Sequence, residues 1–226
     1  MNNRYAIRFE KDGYIKYTSH LDLLRMFKRA FKKTGLALCY SQGFNPHPKM
    51  GFAQPLSLGY SSRCEIIEFE TRMPHTTGEI MEKMRSEMPP GINLISCIEL
   101  DEKIKSLAAD TVAASYKIWI PTNQTEEALK NALKTYMEKE EIVALKRQKK
   151  TKKMEPVNIK NMIRKIEIAK VGPFAMINAV LDCGSKSNCS PELIISSFCL
   201  HCNINSPRYE VEVERTELFF VNNLQF

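Results

Sequence analysis

The 226-residue sequence predicts an α+β protein built on antiparallel sheets, and three observations lead there. Short segments that alternate apolar and polar residues, the mark of half-buried strands, are interleaved with stretches whose apolar residues recur every three or four positions, the mark of amphipathic helices. These elements run in the order β-α-β-β-α-β, and the same order returns in the second part of the chain. Turn formers, among them Asp12-Gly13, Gly35 and Pro89-Pro90-Gly91, stand at the boundaries. A β-α-β-β-α-β order is the split βαβ, or ferredoxin-like, arrangement, in which one antiparallel sheet carries two helices on a single face. Two ferredoxin-like halves are therefore expected, residues 1–107 and 108–226.

In the first half, residues 4–10 alternate Tyr5, Ile7 and Phe9 with Arg4, Ala6, Arg8 and Glu10 and read as a strand. Asp12-Gly13 supplies a turn before residues 14–17. Thr18 and Ser19 are candidate N-caps. Asp22 sits three residues after Ser19 as in a capping box, and Leu21, Leu24, Phe27 and Phe31 repeat at helical spacing up to Gly35. Residues 36–40 read as a short strand and 64–71 as a longer one. A helix over 76–88 is closed by Pro89-Pro90-Gly91, and 92–100 is the final strand.

A polar, alanine-containing stretch at 102–114 marks the junction. Residues 115–120 begin another strand and 125–139 another amphipathic helix, while 141–146 and 163–170 are strands flanking a basic excursion. An apolar strand at 174–183 follows, then a helix capped by Ser190-Pro191-Glu192 that reaches His201, then a long alternating strand at 209–221. No sequence repeat relates the halves, so the duplication rests on element order.

Composition narrows the class of function. Hydrophobic residues at 43% and charged residues at 26% fit a globular chain and exclude wholesale disorder or a coiled coil. No apolar run is long enough for a signal peptide or a membrane span, so a cytoplasmic location and no membrane partner are expected. The formal net charge of +7 favours an anionic partner, because lysines and arginines that neutralise phosphates release counterions. Seven cysteines, an odd number scattered through apolar stretches, read as reduced core thiols. Cys199-Leu200-His201-Cys202, taken with Cys183 and Cys189, has the spacing of a metal or redox site. There is no second C-x-x-C pair, however, and residues 193–200 read as the buried face of a helix, so packing is expected instead.

The functional surface is expected within residues 14–49. His20 and Asp22 occupy the first helical turn, where backbone N–H groups and the positive end of the dipole face outward. Asp22, Arg25, Arg29 and Lys32 or Lys33 form one polar stripe on that helix, which can follow a phosphate backbone or simply face solvent. Ser41-Gln42-Gly43-Phe44-Asn45-Pro46-His47-Pro48-Lys49 is the least generic segment. Prolines on both sides of His47 hold the imidazole in an extended loop with little entropy left to lose on binding. Phe44 can stack on a base or anchor the loop, and Asn45 and Lys49 supply polar contacts. No phosphate-cradling glycine loop, no nucleophile elbow and no metalloprotease helix occurs, and neither a cofactor nor a metal is assigned, although His20, His47 and Asp22 could together ligate a metal. His20 and His47, with Asp22 as orienter, do supply the groups of a metal-independent acid–base site.

Ser19-His20-Leu21-Asp22, the Ser41 to Pro48 loop, and Leu58-Gly59-Tyr60-Ser61-Ser62 with Glu65 together resemble the radical SAM-linked family, an uncharacterised domain found alone or attached to the C-terminal end of radical S-adenosylmethionine enzymes. The resemblance covers most of the chain, is densest over residues 4–70 and returns at 153–168. It implies a substrate-presenting or scaffold role with a radical SAM enzyme as partner, and it carries over no catalytic residue. The chain itself has no C-x-x-x-C-x-x-C run for an iron–sulfur cluster. In element order alone it is also similar to the tandem ferredoxin-like proteins that bind CRISPR RNA.

Lys146, Arg147, Lys149, Lys150, Lys152 and Lys153 put six cations in eight positions, with Lys160, Arg164 and Lys165 shortly after. If the flanking strands at 141–146 and 163–170 pair, this run becomes a basic hairpin tip suited to gripping phosphates. The sequence thus predicts an accessory RNA-contacting module that presents substrate to, or docks on, a separate radical SAM enzyme. An enzyme using His20 and His47, cleaving RNA or a small molecule, and a protein adaptor with no nucleic-acid role are the alternatives.

Overall fold

A computed structural model of the chain describes residues 3–148 and 151–226. Backbone proximity divides the chain into two compact units, one running to Thr111 and including Leu218–Phe226, the other Val112–Glu217. The final residues, placed by sequence with the second half, thus belong to the first unit. The protein is α+β, with five α-helices among the described residues and none of them long and apolar enough to cross a membrane.

The first unit comprises β1 (Asn3–Lys11), a 3-10 turn (Gly13–Tyr17), α1 (His20–Lys33), β2 (Met50–Phe52), β3 (Ser61–Thr71), α2 (Thr77–Arg85), β4 (Ile92–Glu99) and the single turn α3 (Leu107–Asp110). Its strands lie in the order β4-β1-β3-β2, each neighbouring pair antiparallel. Period-2 alternation works as the sequence indicates: Tyr5, Ile7 and Phe9 of β1 and Ile67 and Phe69 of β3 point to one face and are buried with Phe27 and Phe31 of α1 and Ile80 and Met84 of α2. Ring contacts close this core, Phe9 to Phe27 at 5.0 Å and Phe31 to Phe69 at 4.5 Å between centroids. Each such side chain contributes about 2–3 kcal/mol by leaving water.

Two local expectations are corrected. Leu21 is 60% exposed and Leu23 takes its place in the core, because Leu21 stands roughly 120° around the helix axis from Phe27 at 100° per residue. Residues 36–40 form isolated bridges, Leu38 to Thr71 and Tyr40 to Pro48, rather than a strand. Their backbone is tied to the end of β3 by Cys39 N–H to the Glu70 carbonyl and Arg72 N–H to the Ala37 carbonyl, both 2.8 Å. The loop that follows interrupts this edge of the sheet, and the chain resumes pairing only at β2.

The second unit contains β5 (Thr111–Pro121) from Val112 onward, α4 (Glu126–Glu138), β6 (Val143–Arg147), β7 (Met154–Asn158), a 3-10 turn (Lys160–Met162), β8 (Ile163–Val171), β9 (Phe174–Asp182), α5 (Pro191–Cys202), a second such turn (Arg208–Glu210) and β10 (Glu212–Phe220) as far as Glu217. The strand order is β10-β5-β9-β8, with β5–β9 and β8–β9 antiparallel. The sequence expects residues 141–146 to pair with 163–170. Instead β6 pairs with β7, in a two-stranded ribbon of its own, and β8 pairs with β9. The apolar alternation of 163–170 matches the buried Ile177, Ala179 and Leu181 of β9, whereas the exposed ribbon needs no such partner. Thr125 and Ser190 cap α4 and α5, and Tyr136 of α4 meets α5 through Phe198 (5.3 Å between rings) and a 2.7 Å hydrogen bond to Ser197.

All seven cysteines are free. Burial pushes the thiols of Cys97 and Cys189 up to about 12, that of Cys202 up to about 11, and that of Cys199 upward. Among the described residues no three His, Cys, Asp or Glu side chains are grouped as a metal would require.

Candidate nucleic-acid interface

Ser19 caps α1 by accepting the Asp22 N–H at 3.2 Å, and its hydroxyl donates to Asp22 Oδ2 at 2.7 Å. Asp22 Oδ1 receives Arg25 Nη1 at 2.8 Å. The Ser19 hydroxyl first, and the Arg25 guanidinium second, hold the Asp22 carboxyl below its ordinary range. Both oxygens of Asp22 therefore serve the cap and the Arg25 pair, and neither binds an imidazole. Lys33 pairs with Glu87 at 2.9 Å. Lys28, Arg29 and Lys32 are exposed and, among the described residues, have no side-chain hydrogen bond or ion pair.

The two histidines are placed differently. His20 is half-buried, its ring edge-on to Phe52 at 5.2 Å. His47 is exposed, and only its backbone is anchored, with N–H to Ser41 Oγ at 3.0 Å and its carbonyl accepting the Ser41 N–H at 2.8 Å. Among the described residues no hydrogen bond joins the two rings, or either ring to Asp22. The loop closes on itself through these bonds and Lys49 N–H to the Cys39 carbonyl at 2.8 Å, leaving Gln42 to Pro46 at its tip. Gly43 adopts φ +125°, open to glycine, and Phe44 is fully exposed, at 107% of its reference surface, so it does not anchor the loop in the core. Asn45 is exposed beside it. Lys49 gives its ammonium to Glu70 at 2.7 Å, which raises its pKa.

The third segment of the sequence resemblance meets the chain just ahead of α1. Gly59 N–H bonds the Lys16 carbonyl at 2.9 Å, and the buried Lys11 ammonium donates to the Thr18 carbonyl at 3.2 Å. Glu65 is likewise buried, at 2% exposure.

A groove of 330 Å³ runs beside the second half of α1. Gly35, at φ +72°, ends the helix in the left-handed conformation and returns the chain so that Leu36 and Leu38 form an apolar floor. Lys28 and Lys32 stand on its helical side, and Tyr40 and Arg72 on the other. No carboxylate lines it. A larger cleft of 630 Å³ has Arg4, Lys49, Glu68 and Glu70 on its walls, but its charges satisfy one another, Arg4 with Glu68 and Lys49 with Glu70, both at 2.7 Å. The smaller groove thus holds the free positive charge. Lys28 continues the stripe of Arg25 and Lys32 and is legible from helical spacing alone. Arg72 carries no such signal, since the pairing of residues 37–39 with the end of β3 brings a residue so far along the chain to this place.

At the end of the β6–β7 ribbon Lys146, Arg147, Lys152 and Lys153 are exposed and, among the described residues, form no ion pair. Gln148 N–H to the Lys153 carbonyl, 2.9 Å, closes the turn, where Lys152 adopts φ +59°. Lys149 and Lys150 lie outside the described residues. Val143, Leu145 and Met154 are half-exposed on one face of the ribbon, and Ala144 is buried on the other.

Among solved structures the chain is similar in fold to one chain of a Cbf5-Nop10-Gar1 complex, with TM-score 0.51 and 11% identity over 95% of this chain. It spans about half of that neighbour, 48% of its length. A protein of unknown function from Galdieria sulphuraria aligns at TM-score 0.29 and 10% identity, over 98% of this chain and 99% of that one. No curated protein matches in sequence. Residues 4–191 match the model of the family described as an uncharacterized protein conserved in bacteria (DUF2344), and the chain belongs to that family.

Proposed function

We propose that the protein is a cytoplasmic accessory module that contacts RNA and presents it to, or docks on, a separate radical SAM enzyme. One observation carries the RNA part: Lys28, Lys32 and Arg72 line one groove that has no carboxylate in its wall and form no ion pair among the described residues, and the exposed ring of Tyr40 lines it with them. Cations left unneutralised on a surface gain binding free energy by releasing counterions from a phosphate backbone. Exposed aromatic rings add stacking that tolerates any base, at about 1–3 kcal/mol per base. The cations of the β6–β7 ribbon tip add a second place for phosphate contact.

The enzyme partner rests on the resemblance of the Ser19–Asp22, Ser41–Pro48 and Leu58–Glu65 segments to the radical SAM-linked family. We also read each unit as a ferredoxin-like half. The orders β4-β1-β3-β2 and β10-β5-β9-β8 support this, with the β6–β7 ribbon an insertion between α4 and β8. Binding of a single-stranded RNA, followed by fluorescence anisotropy across a salt series, tests the proposal. Affinity in the micromolar range at about 50 mM salt, weakening steeply by about 200 mM, is expected. Binding that is absent at low salt or indifferent to salt refutes it.

A further inference from the structure

We infer that the groove beside the second half of α1 is a pocket for the end of an RNA strand, taking a terminal phosphomonoester together with the nucleotide that bears it. This deepens the RNA-contacting function proposed above and rests on it.

The dimensions and the charge point the same way. At 330 Å³ the groove sits at the small end of ligand sites, about 300–1,000 Å³, which suits one nucleotide rather than a continuous strand. Three cations, Lys28, Lys32 and Arg72, line it without any carboxylate. Glu87 and Glu70 are already engaged, by Lys33 and Lys49. An internal phosphodiester brings one negative charge, whereas a monoester carries about −1.5 to −2 at neutral pH and three acceptor oxygens. A trio of unpaired cations therefore discriminates in favour of the terminal group, and the planar fork of Arg72 can hold two of its oxygens at once. The floor of Leu36 and Leu38 is apolar, and Tyr40, 41% exposed, adds an aromatic ring to the lining on which the terminal base can stack. Tyr40 leads directly into the loop whose tip carries Phe44, so the next nucleotide has an aromatic platform within a few residues of the first.

The other cavities lack this combination. The cleft walled by Arg4 and Lys49 holds paired charges. The one around Gln124 and Asn205 in the second unit has no lining cation.

Oligoribonucleotides of one sequence, labelled internally and carrying a 5′-phosphate, a 3′-phosphate or hydroxyl ends only, are titrated into the protein at fixed salt. One of the two phosphorylated ends is expected to bind about tenfold more tightly than the hydroxyl form. Arg72→Ala and, separately, Lys28→Ala should weaken the phosphorylated form more than the hydroxyl form and so bring that ratio to near one; both side chains are exposed, and circular dichroism confirms folding. Equal affinity for all three ends in the wild type overturns the inference and leaves the RNA-contacting function standing. So does a preference that survives both variants. If no RNA binds, that function fails, and titration with adenosine 5′-monophosphate decides the groove alone: saturable binding lost in Arg72→Ala supports the pocket, and absence of binding overturns it.

Discussion

Replacing Gly91 by alanine should be among the most damaging single changes in the first unit, and its size follows from the backbone. Gly91 precedes β4 at φ +92°, a region costing an L-residue about 1–2 kcal/mol. Its carbonyl accepts the Asp12 N–H at 2.9 Å, which brings the two chain segments so close that a Cβ would lie 2.5 Å from the Asp12 carbonyl oxygen and 2.9 Å from Ile15 Cγ2. The oxygen is backbone and cannot swing away, so the turn at Gly13–Tyr17 must move, and overpacking of this kind costs about 1–3 kcal/mol. The total, about 2–5 kcal/mol, is a large share of the roughly 5–15 kcal/mol that holds a domain. Gly78 in α2 is the control: nothing lies within 4 Å of its built Cβ and its φ is ordinary, so Gly78→Ala should be neutral or stabilise by up to about 1 kcal/mol. Urea unfolding followed by far-UV circular dichroism measures both. A Gly91→Ala midpoint within 1 kcal/mol of wild type, or a Gly78→Ala loss of the same size, refutes the reasoning.

For RNA, the four exposed cations Lys28, Arg29, Lys32 and Arg72 set the expected salt response. At about 0.7 per phosphate contact on a single strand they contribute about −3 to the slope of log K against log salt, and changing Lys28, Arg29 and Lys32 together to alanine should remove about 2 of it; an unchanged slope places the contacts elsewhere. The buried thiols predict a pH effect with a definite sign. Cys97 and Cys189 are raised to about 12 and Cys202 to about 11 from 9.0, so the stability they contribute is full below pH 9 and is lost as pH rises above it toward 11–12. The urea midpoint should fall between pH 8 and pH 10, and Ellman's reagent at pH 8 should react with these thiols only after denaturation. Tyr136→Phe removes the 2.7 Å bond to Ser197, whose hydroxyl keeps its bond to the Leu193 carbonyl, so a loss of only about 1 kcal/mol is expected in thermal unfolding.

Helix positions were legible because their signals are local. Ser19, Thr76, Thr125 and Ser190 each cap the helix that follows, as a polar side chain ahead of an apolar repeat should. The long strands were legible for the same reason: β9 buries alternate residues throughout, and β1 and β3 do so over residues 7–11 and 67–71. Strand partners are a different matter, because nothing in residues 141–146 says that residues 154–158 compete with 163–170 for the pairing. The outcome depends on which strand has an apolar face to bury against β9, a question about a third segment.

The candidate site divides along the same line. Spacing on α1 placed Arg25, Arg29 and Lys32 on one exposed surface, yet charge at a site is set by what sits opposite each cation. Asp22 takes Arg25, Glu87 takes Lys33 and Glu70 takes Lys49, and two of these three acids come from strands or turns remote in sequence. Lys49 thus stands opposite an acid although its loop is the most distinctive in the chain, while Arg72, unremarked in sequence, lines a groove with no carboxylate in its wall. A basic stripe acquires binding value by the subtraction of its acidic neighbours, and that subtraction is carried out by the fold.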